Sequence, residues 1–282
     1  MTIGPTRQIE NKVIILPLPG SAFSIAYHDI LHTIRLSPIW IHAGWIDVIW
    51  RFRRTRLGPF WHTLGLAAFV LVMGTIWSTV LHQSPKYYFQ YVTTGMIAWG
   101  LIASFITEAT SIYIQGQATA LSIRYPFTAF AAAHVWRALL MFFHHFVFYV
   151  FVMAITWTSP GWAGLLAIPG LVLLAANGVW MSVLSATLCL RWRDLSLAIF
   201  SGMQIAIFVT PIFWPKEMLG QNLAFAADFN PLYHLVTIMR EPLIGVVPPL
   251  TSYLWAVGTL IVGSAFTFWL YGKCRDRMPY WY

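Results

Sequence analysis

Four arginines stand within six residues, Arg51, Arg53, Arg54 and Arg56, beside Trp50, Phe60 and Trp61. A guanidinium fork matches phosphate oxygens two at a time, so the cluster suits a phosphate ligand. A lipid headgroup at the membrane surface is one such ligand. Cations gathered at a membrane boundary for topology alone give the same pattern. Nucleotide chemistry is different. The phosphate cradle GxxxxGK[ST] does not occur, because Gly272-Lys273 runs into Cys274 with no glycine at the upstream position. His144 and His145 are neighbours, about 100° apart on a helix, and do not readily share one ion. No carboxylate accompanies them, so a packing or interhelical contact is expected. Cys189 and Cys274 offer neither metal spacing nor a disulfide framework. Asp47 and Asp194 sit beside basic residues instead of pairing as an acid and a base. The sequence therefore predicts no catalytic residue, no metal and no cofactor held by this chain.

The elements that would position these residues follow from composition. Of 282 residues, 59% are hydrophobic and only 9% charged. Soluble domains carry about 25% charged residues, so the bilayer is the expected solvent. Six stretches can cross it: 62–81, 87–110, 136–157, 163–190, 195–215 and 250–272. The break in the uncharged run after Ala138 is placed at Thr158-Ser159-Pro160-Gly161. Near the N-terminus, Pro17, Pro19 and Gly20 interrupt the apolar stretch from Ile14 to Ile25. That stretch is expected to be neither a span nor a signal peptide.

Charge orients the spans. Arg7, Lys12, Arg35, the four clustered arginines, Arg124, Arg137, Arg191, Arg193, Lys273, Arg275 and Arg277 fall on one side. Lys86, Lys216 and Arg240 fall on the other. Fourteen of the 17 Lys and Arg thus mark the cytoplasmic side, with both ends of the chain there. The net charge of +8 is read as topology and not as nucleic-acid binding.

Two segments fit neither span nor loop. Within 37–61, Trp40, Ile41, Gly44, Trp45, Val48 and Phe52 recur at helical spacing, with Asp47, Arg51 and Arg54 on another face. This predicts an amphipathic helix in the cytoplasmic interface or, alternatively, a helix packed on the protein's own loops. The outer segment 216–249 is long and still apolar, with Asn230-Pro231 marking a turn. Two short re-entrant helices around that turn are expected, capping a pathway or simply forming a folded loop. The fold class is all-α integral membrane. Residues 1–36 form a cytoplasmic extension before a transmembrane domain over 37–282.

Three motif groups then converge. One is the run from Arg53-Arg54-Thr55-Arg56 through Gly58-Pro59-Phe60-Trp61. The second is Arg191-Trp192-Arg193-Asp194-Leu195. The third combines Thr210-Pro211-Ile212-Phe213-Trp214, Asn230-Pro231 and Arg240-Glu241-Pro242-Leu243-Ile244-Gly245. In this order, across roughly Trp45 to Arg277, the chain resembles the permease subunits of ABC-2 type exporters. Within them it is similar to the permeases for O-antigen, capsule and teichoic-acid polysaccharides.

The resemblance implies a homodimer in a bacterial inner membrane, coupled to two separate ATPase subunits that bind ATP and Mg. It implies a polysaccharide on a polyprenyl diphosphate as cargo, whose diphosphate is then a second candidate ligand for Arg51, Arg53, Arg54 and Arg56. It also implies a coupling helix at Arg124-Tyr125-Pro126-Phe127, where an ordinary basic loop is the other reading. Arg193-Asp194 is assigned to the same cytoplasmic face, as a helix-fixing pair or a plain interfacial one. The outer gate is expected at Pro211, Asn230, Pro231, Arg240 and Glu241. A sugar pathway needs stacking faces, and Tyr88, Tyr91, Trp99, Tyr113, Gln204, Phe208, Phe213 and Trp214 are candidates. At 100° per residue Tyr88, Trp99 and Tyr113 fall within about 60° of one another. Ordinary packing with an interfacial belt is the alternative. Glu108 is expected to reach toward Arg137 or Arg124. Competing functions are permeation of a drug or small lipid and a membrane-embedded transferase for lipid-linked sugars.

Overall fold

Prolines punctuate this chain and set where its helices begin and stop. The computed structural model describes residues 22–122, 125–218 and 220–282, and no strand occurs among them. Helices α1 (Ala22–Arg35) and α2 (Ser37–Phe52) precede α3 (Phe60–Val80). Helix α4 (Pro85–Thr107) starts at a proline whose missing N–H costs nothing there, and Ser84 caps it by accepting from the Tyr87 N–H. A 3₁₀ turn, Glu108–Ser111, leads to the short α5 (Ile112–Gln115) and α6 (Gln117–Ser122). Helix α7 (Phe127–Thr156) follows Pro126, whose extended backbone sets its start. A second 3₁₀ turn at Gly161–Leu166 enters α8 (Ala167–Arg191), where Pro169 is harmless in the first turn. Then come α9 (Leu195–Val209), α10 (Gln221–Asp228), α11 (Pro231–Leu243) and α12 (Leu250–Cys274).

Five helical stretches among the described residues are long and apolar enough to cross a bilayer. They are Phe60–Val80, Pro85–Gln115, Phe127–Thr156, Gly161–Arg191 and Leu250–Cys274. The protein is thus a multi-pass, all-helical membrane protein. Helix α9 is apolar but 15 residues long. At 1.5 Å per residue it reaches about 22 Å, less than the ~30 Å hydrocarbon core. The stretch 195–215 stops as a helix at Val209 because Pro211 pushes Thr210 into the extended region, at ψ 130°.

Two boundaries differ from expectation for identifiable reasons. The third apolar stretch starts as a helix at Phe127, so Arg137 lies ten residues inside α7 and is not a loop residue. In 37–61, α2 ends at Phe52, and a turn carrying Arg53 to Pro59 separates it from α3. The extension contributes α1, which sequence periodicity left unassigned. Residues 1–21 lie outside the described residues.

The core has three parts. Trp99, Phe105, Leu174 and Leu235 belong to the largest cluster, Tyr113, Phe127 and Tyr271 to a second, and Tyr88, Tyr91 and Phe148 to a third. Helix α2 docks on α7 through Gly44, where an added Cβ would stand 2.7 Å from the Ala133 carbonyl oxygen. That neighbour is backbone and cannot yield cheaply. Gly44→Val is expected to lift α2 off α7. Trypsin should then cleave among Arg51 to Arg56 about tenfold faster, as overpacking of 1–3 kcal/mol implies.

Candidate functional site

The broken end of α9 is anchored by side chains from two other helices. Thr210 and Ile212 are fully buried, and Phe213 nearly so. Non-helical backbone at membrane depth must find all its partners within the protein. Here the partners are side chains from α4 and α11. Arg240 donates from Nη1 to the Pro211 carbonyl at 2.7 Å. Tyr91 donates its hydroxyl to the Trp214 carbonyl at 3.0 Å, and Tyr88 to the Phe213 carbonyl at 2.5 Å. Asn230 donates from Nδ2 to Thr210 Oγ1 at 3.0 Å while its Oδ1 caps α11 at the Leu232 N–H. The Arg240 guanidinium also lies over the Tyr91 ring, 4.3 Å from its centroid. Helix α11 is pressed against α8 at Gly170, where a Cβ would meet the Ile238 carbonyl oxygen at 2.5 Å.

A second polar assembly sits at the other ends of α4 and α7. Arg137, with its side chain 10% exposed, reaches Asp47 of α2 at 3.3 Å and Glu108 at 3.5 Å. Glu108 also pairs with Arg51 at 3.3 Å. His134 receives a hydrogen bond from Arg137 at 2.7 Å and meets the Ser104 carbonyl at 3.0 Å. These contacts fit the neutral tautomer with its proton on Nε2. A small cavity of about 70 Å³ lies between Arg51, His62, Glu108, Arg137 and His145. This node ties α2 to the bundle and joins the interfacial segment to two long helices.

The structure separates residues that the sequence grouped. Tyr88, Tyr91, Trp99, Tyr113 and Phe213 are buried within the subunit. Tyr88, Trp99 and Tyr113 pack into three different core clusters, so the three rings do not meet on one surface. Gln204 and Phe208 of α9 are exposed, and Trp214 is half-buried. Of the arginine cluster, Arg51 is committed to Glu108 and Arg53 stacks on Trp50 at 4.7 Å, whereas Arg54 and Arg56 are exposed.

On the coupling side, Arg124 lies outside the described residues. Tyr125 is half-buried, and Pro126 and Phe127 are buried, with Phe127 packed edge-on against Tyr113. Phe127 is thus an internal anchor and not a contact surface. Arg193 and Asp194 are exposed and form no ion pair among the described residues. Of the outer set, Pro211 and Arg240 are buried, Asn230 and Glu241 half-buried, and Pro231 exposed.

The ABC-2 type transporter family matches the chain over residues 42–244. The chain belongs to that family. The ABC-2 region runs from within α2 to just past α11, so the anchored end of α9 and the Arg137 node both fall inside it, while α1 and α12 lie outside. Two curated proteins from Klebsiella pneumoniae, each an O-antigen export system permease protein RfbA, are similar to this transporter. One is 23% identical over 202 residues, 69% of this chain and 76% of the relative. The other is 21% identical over 199 residues, with the same two shares.

One polar group escaped the sequence reading. Asp29 of α1 is buried and binds Arg275, just beyond α12, and the Tyr271 hydroxyl at 2.5 Å. The available signal was Ile25, Ala26 and Asp29, one helical face whose acid called for a partner. Arg275 had been counted only for topology.

Proposed function

We propose that this ABC-2 transporter is the membrane subunit of an ATP-driven exporter. It passes a polyprenyl-diphosphate-linked polysaccharide from the cytoplasmic to the periplasmic face of a bacterial inner membrane. The observation that carries the reading is α9. It is an apolar helix with no buried residue, and its far end is locked by α4 and α11. An exposed apolar helix shorter than the bilayer needs another surface beside it, and a second copy of the chain supplies one. Helix α9 with 210–215 then makes the sixth crossing, which keeps the basic residues and both ends on the cytoplasmic side. The helices α10 and α11 form the re-entrant pair that closes the outer end of the pathway.

In this arrangement Gln204 and Phe208 offer an amide and a stacking ring toward the passage, and Trp214 stands at its mouth. Arg54 and Arg56, with Arg53 beside them, meet the diphosphate or the lipid headgroups at entry. The short α6, which has no buried residue, forms the cytoplasmic docking surface for the ATPase together with Arg193 and Asp194. Similarity to O-antigen export permeases supports a glycan as cargo.

The test is affinity purification from the native membrane together with deletion of the gene. We expect a nucleotide-binding ATPase to co-purify and lipid-linked glycan to accumulate on the inner side of cells lacking the protein. Phe208→Ala should slow export without loss of complex. A stable chain with no ATPase partner, and glycan export unchanged by the deletion, would overturn the reading.

A further inference from the structure

A cleft of about 420 Å³ opens between α1, α2, α7, α8 and α12. Its walls are apolar, with Ile34, Trp40, Trp136, Val179, Trp180 and Phe268 among them. On α7 the lining runs from Thr128 to Leu139. That is a rise of about 17 Å, close to half of the ~30 Å hydrocarbon core. The cleft is therefore one leaflet deep.

Both ends are closed by specific contacts. The elbow of α1 and α2 roofs it, held by Trp40 Nε1 donating to the Thr33 carbonyl at 2.9 Å and by the Thr33 and Thr128 hydroxyls at 2.6 Å. At mid-membrane Trp180 forms the floor. Its ring fills the space above Gly263, where a Cβ would come within 2.3 Å of it, and its Nε1 donates to Asn177 Oδ1 at 2.9 Å. Asn177 in turn donates to the Ala256 carbonyl of α12 at 3.1 Å.

We propose that this cleft holds one acyl chain of a phospholipid drawn from the leaflet on the α1 side, with its phosphate at His32 and Arg35. His32 and Arg35 end α1, one on each side of lining residues Thr33 and Ile34. Arg35 is exposed and forms no ion pair among the described residues, so it meets a headgroup phosphate by charge. The Trp180 floor stops the site at one leaflet, which excludes a long isoprenoid chain. Bound there, the lipid fills the gap between α1 and the three long helices and fastens the extension to the bundle.

The experiment uses the full chain in vesicles of phosphatidylethanolamine and phosphatidylglycerol that carry a phosphatidylglycerol probe with a diazirine near its acyl end. After illumination, adducts are mapped by peptide mass spectrometry. Adducts on 128–139 and 176–183 are expected to saturate as the probe fraction rises, whereas those on the outward face of α3 rise in proportion. Ala176→Phe, which fills the cleft, should cut the saturable adducts about tenfold, and Arg35→Glu should raise the probe fraction needed for half-saturation. Saturation is read on the unmodified chain, so it stands even if Ala176→Phe fails to fold. Linear labelling of the cleft, equal saturable labelling by a polyprenyl phosphate probe, or crosslinks at the cleft to a second copy would each overturn the proposal.

Discussion

Arg240→Met is expected to abolish transport and to lower the unfolding midpoint of the purified protein, while Lys86→Met on the same side should change little. Arg240 is 3% exposed and holds the Pro211 carbonyl, whereas Lys86 is exposed in the first turn of α4. Removing the guanidinium takes away a charged hydrogen bond and leaves a buried carbonyl without that partner, a loss of about 3 kcal/mol. The consequence is local as well as global. The Pro211 carbonyl belongs to the only irregular stretch joining α9 to α10, so α9 loses the clamp that fixes its end. Arg240→Lys should rescue only partly. A lysine keeps the charge but has no planar group to lie over the Tyr91 ring at 4.3 Å. Thermal unfolding in detergent and an export assay on the same variants decide the matter. If the midpoint of Arg240→Met equals that of Lys86→Met, α11 does not hold α9, and the gate assigned to this clasp fails with it.

The parts of the molecule legible in the sequence are those governed by local rules. Apolar runs of the length of a bilayer, the turn at Asn230-Pro231 and the amphipathic repeat around Gly44 each depend on neighbouring residues only, and five of the six runs, the turn and the repeat found their elements. The motif runs also carried the family, which the ABC-2 match over residues 42–244 bears out. What failed depended on distance. Helical spacing grouped Tyr88, Trp99 and Tyr113, whereas the fold packs them into three separate clusters along the bundle. The tyrosines looked like a stacking surface because aromatic type says nothing about the partner of a hydroxyl. In the fold, the hydroxyls of Tyr88 and Tyr91 serve carbonyls more than 120 residues away. Glu108 reaches Arg137 as its sequence position implies, but Arg137 looked like a loop cation because no local signal placed it inside α7 beside Asp47.

The clearest case of distance is Asp29 and Arg275, 246 positions apart, and it yields the second large effect. Their side chains are 11% and 10% exposed, and the Arg275 guanidinium lies 4.7 Å from the centroid of Phe127. Asp29→Ala strands that cation among Phe127, Tyr113 and Tyr271. Breaking a buried pair in this way costs about 3–5 kcal/mol, because the remaining charge is desolvated without compensation. Asp29→Ala combined with Arg275→Met should recover much of the loss, since no charge is then left buried. A coupling of about 2 kcal/mol between the two changes is expected from unfolding in detergent. The same cycle reports on α1. Its buried face is Ile25, Ala26 and Asp29, so the single change should also free the helix to protease while the double change keeps it docked. If instead the two losses simply add, the pair contributes little, and apolar contacts alone hold the N-terminal helix to the end of α12.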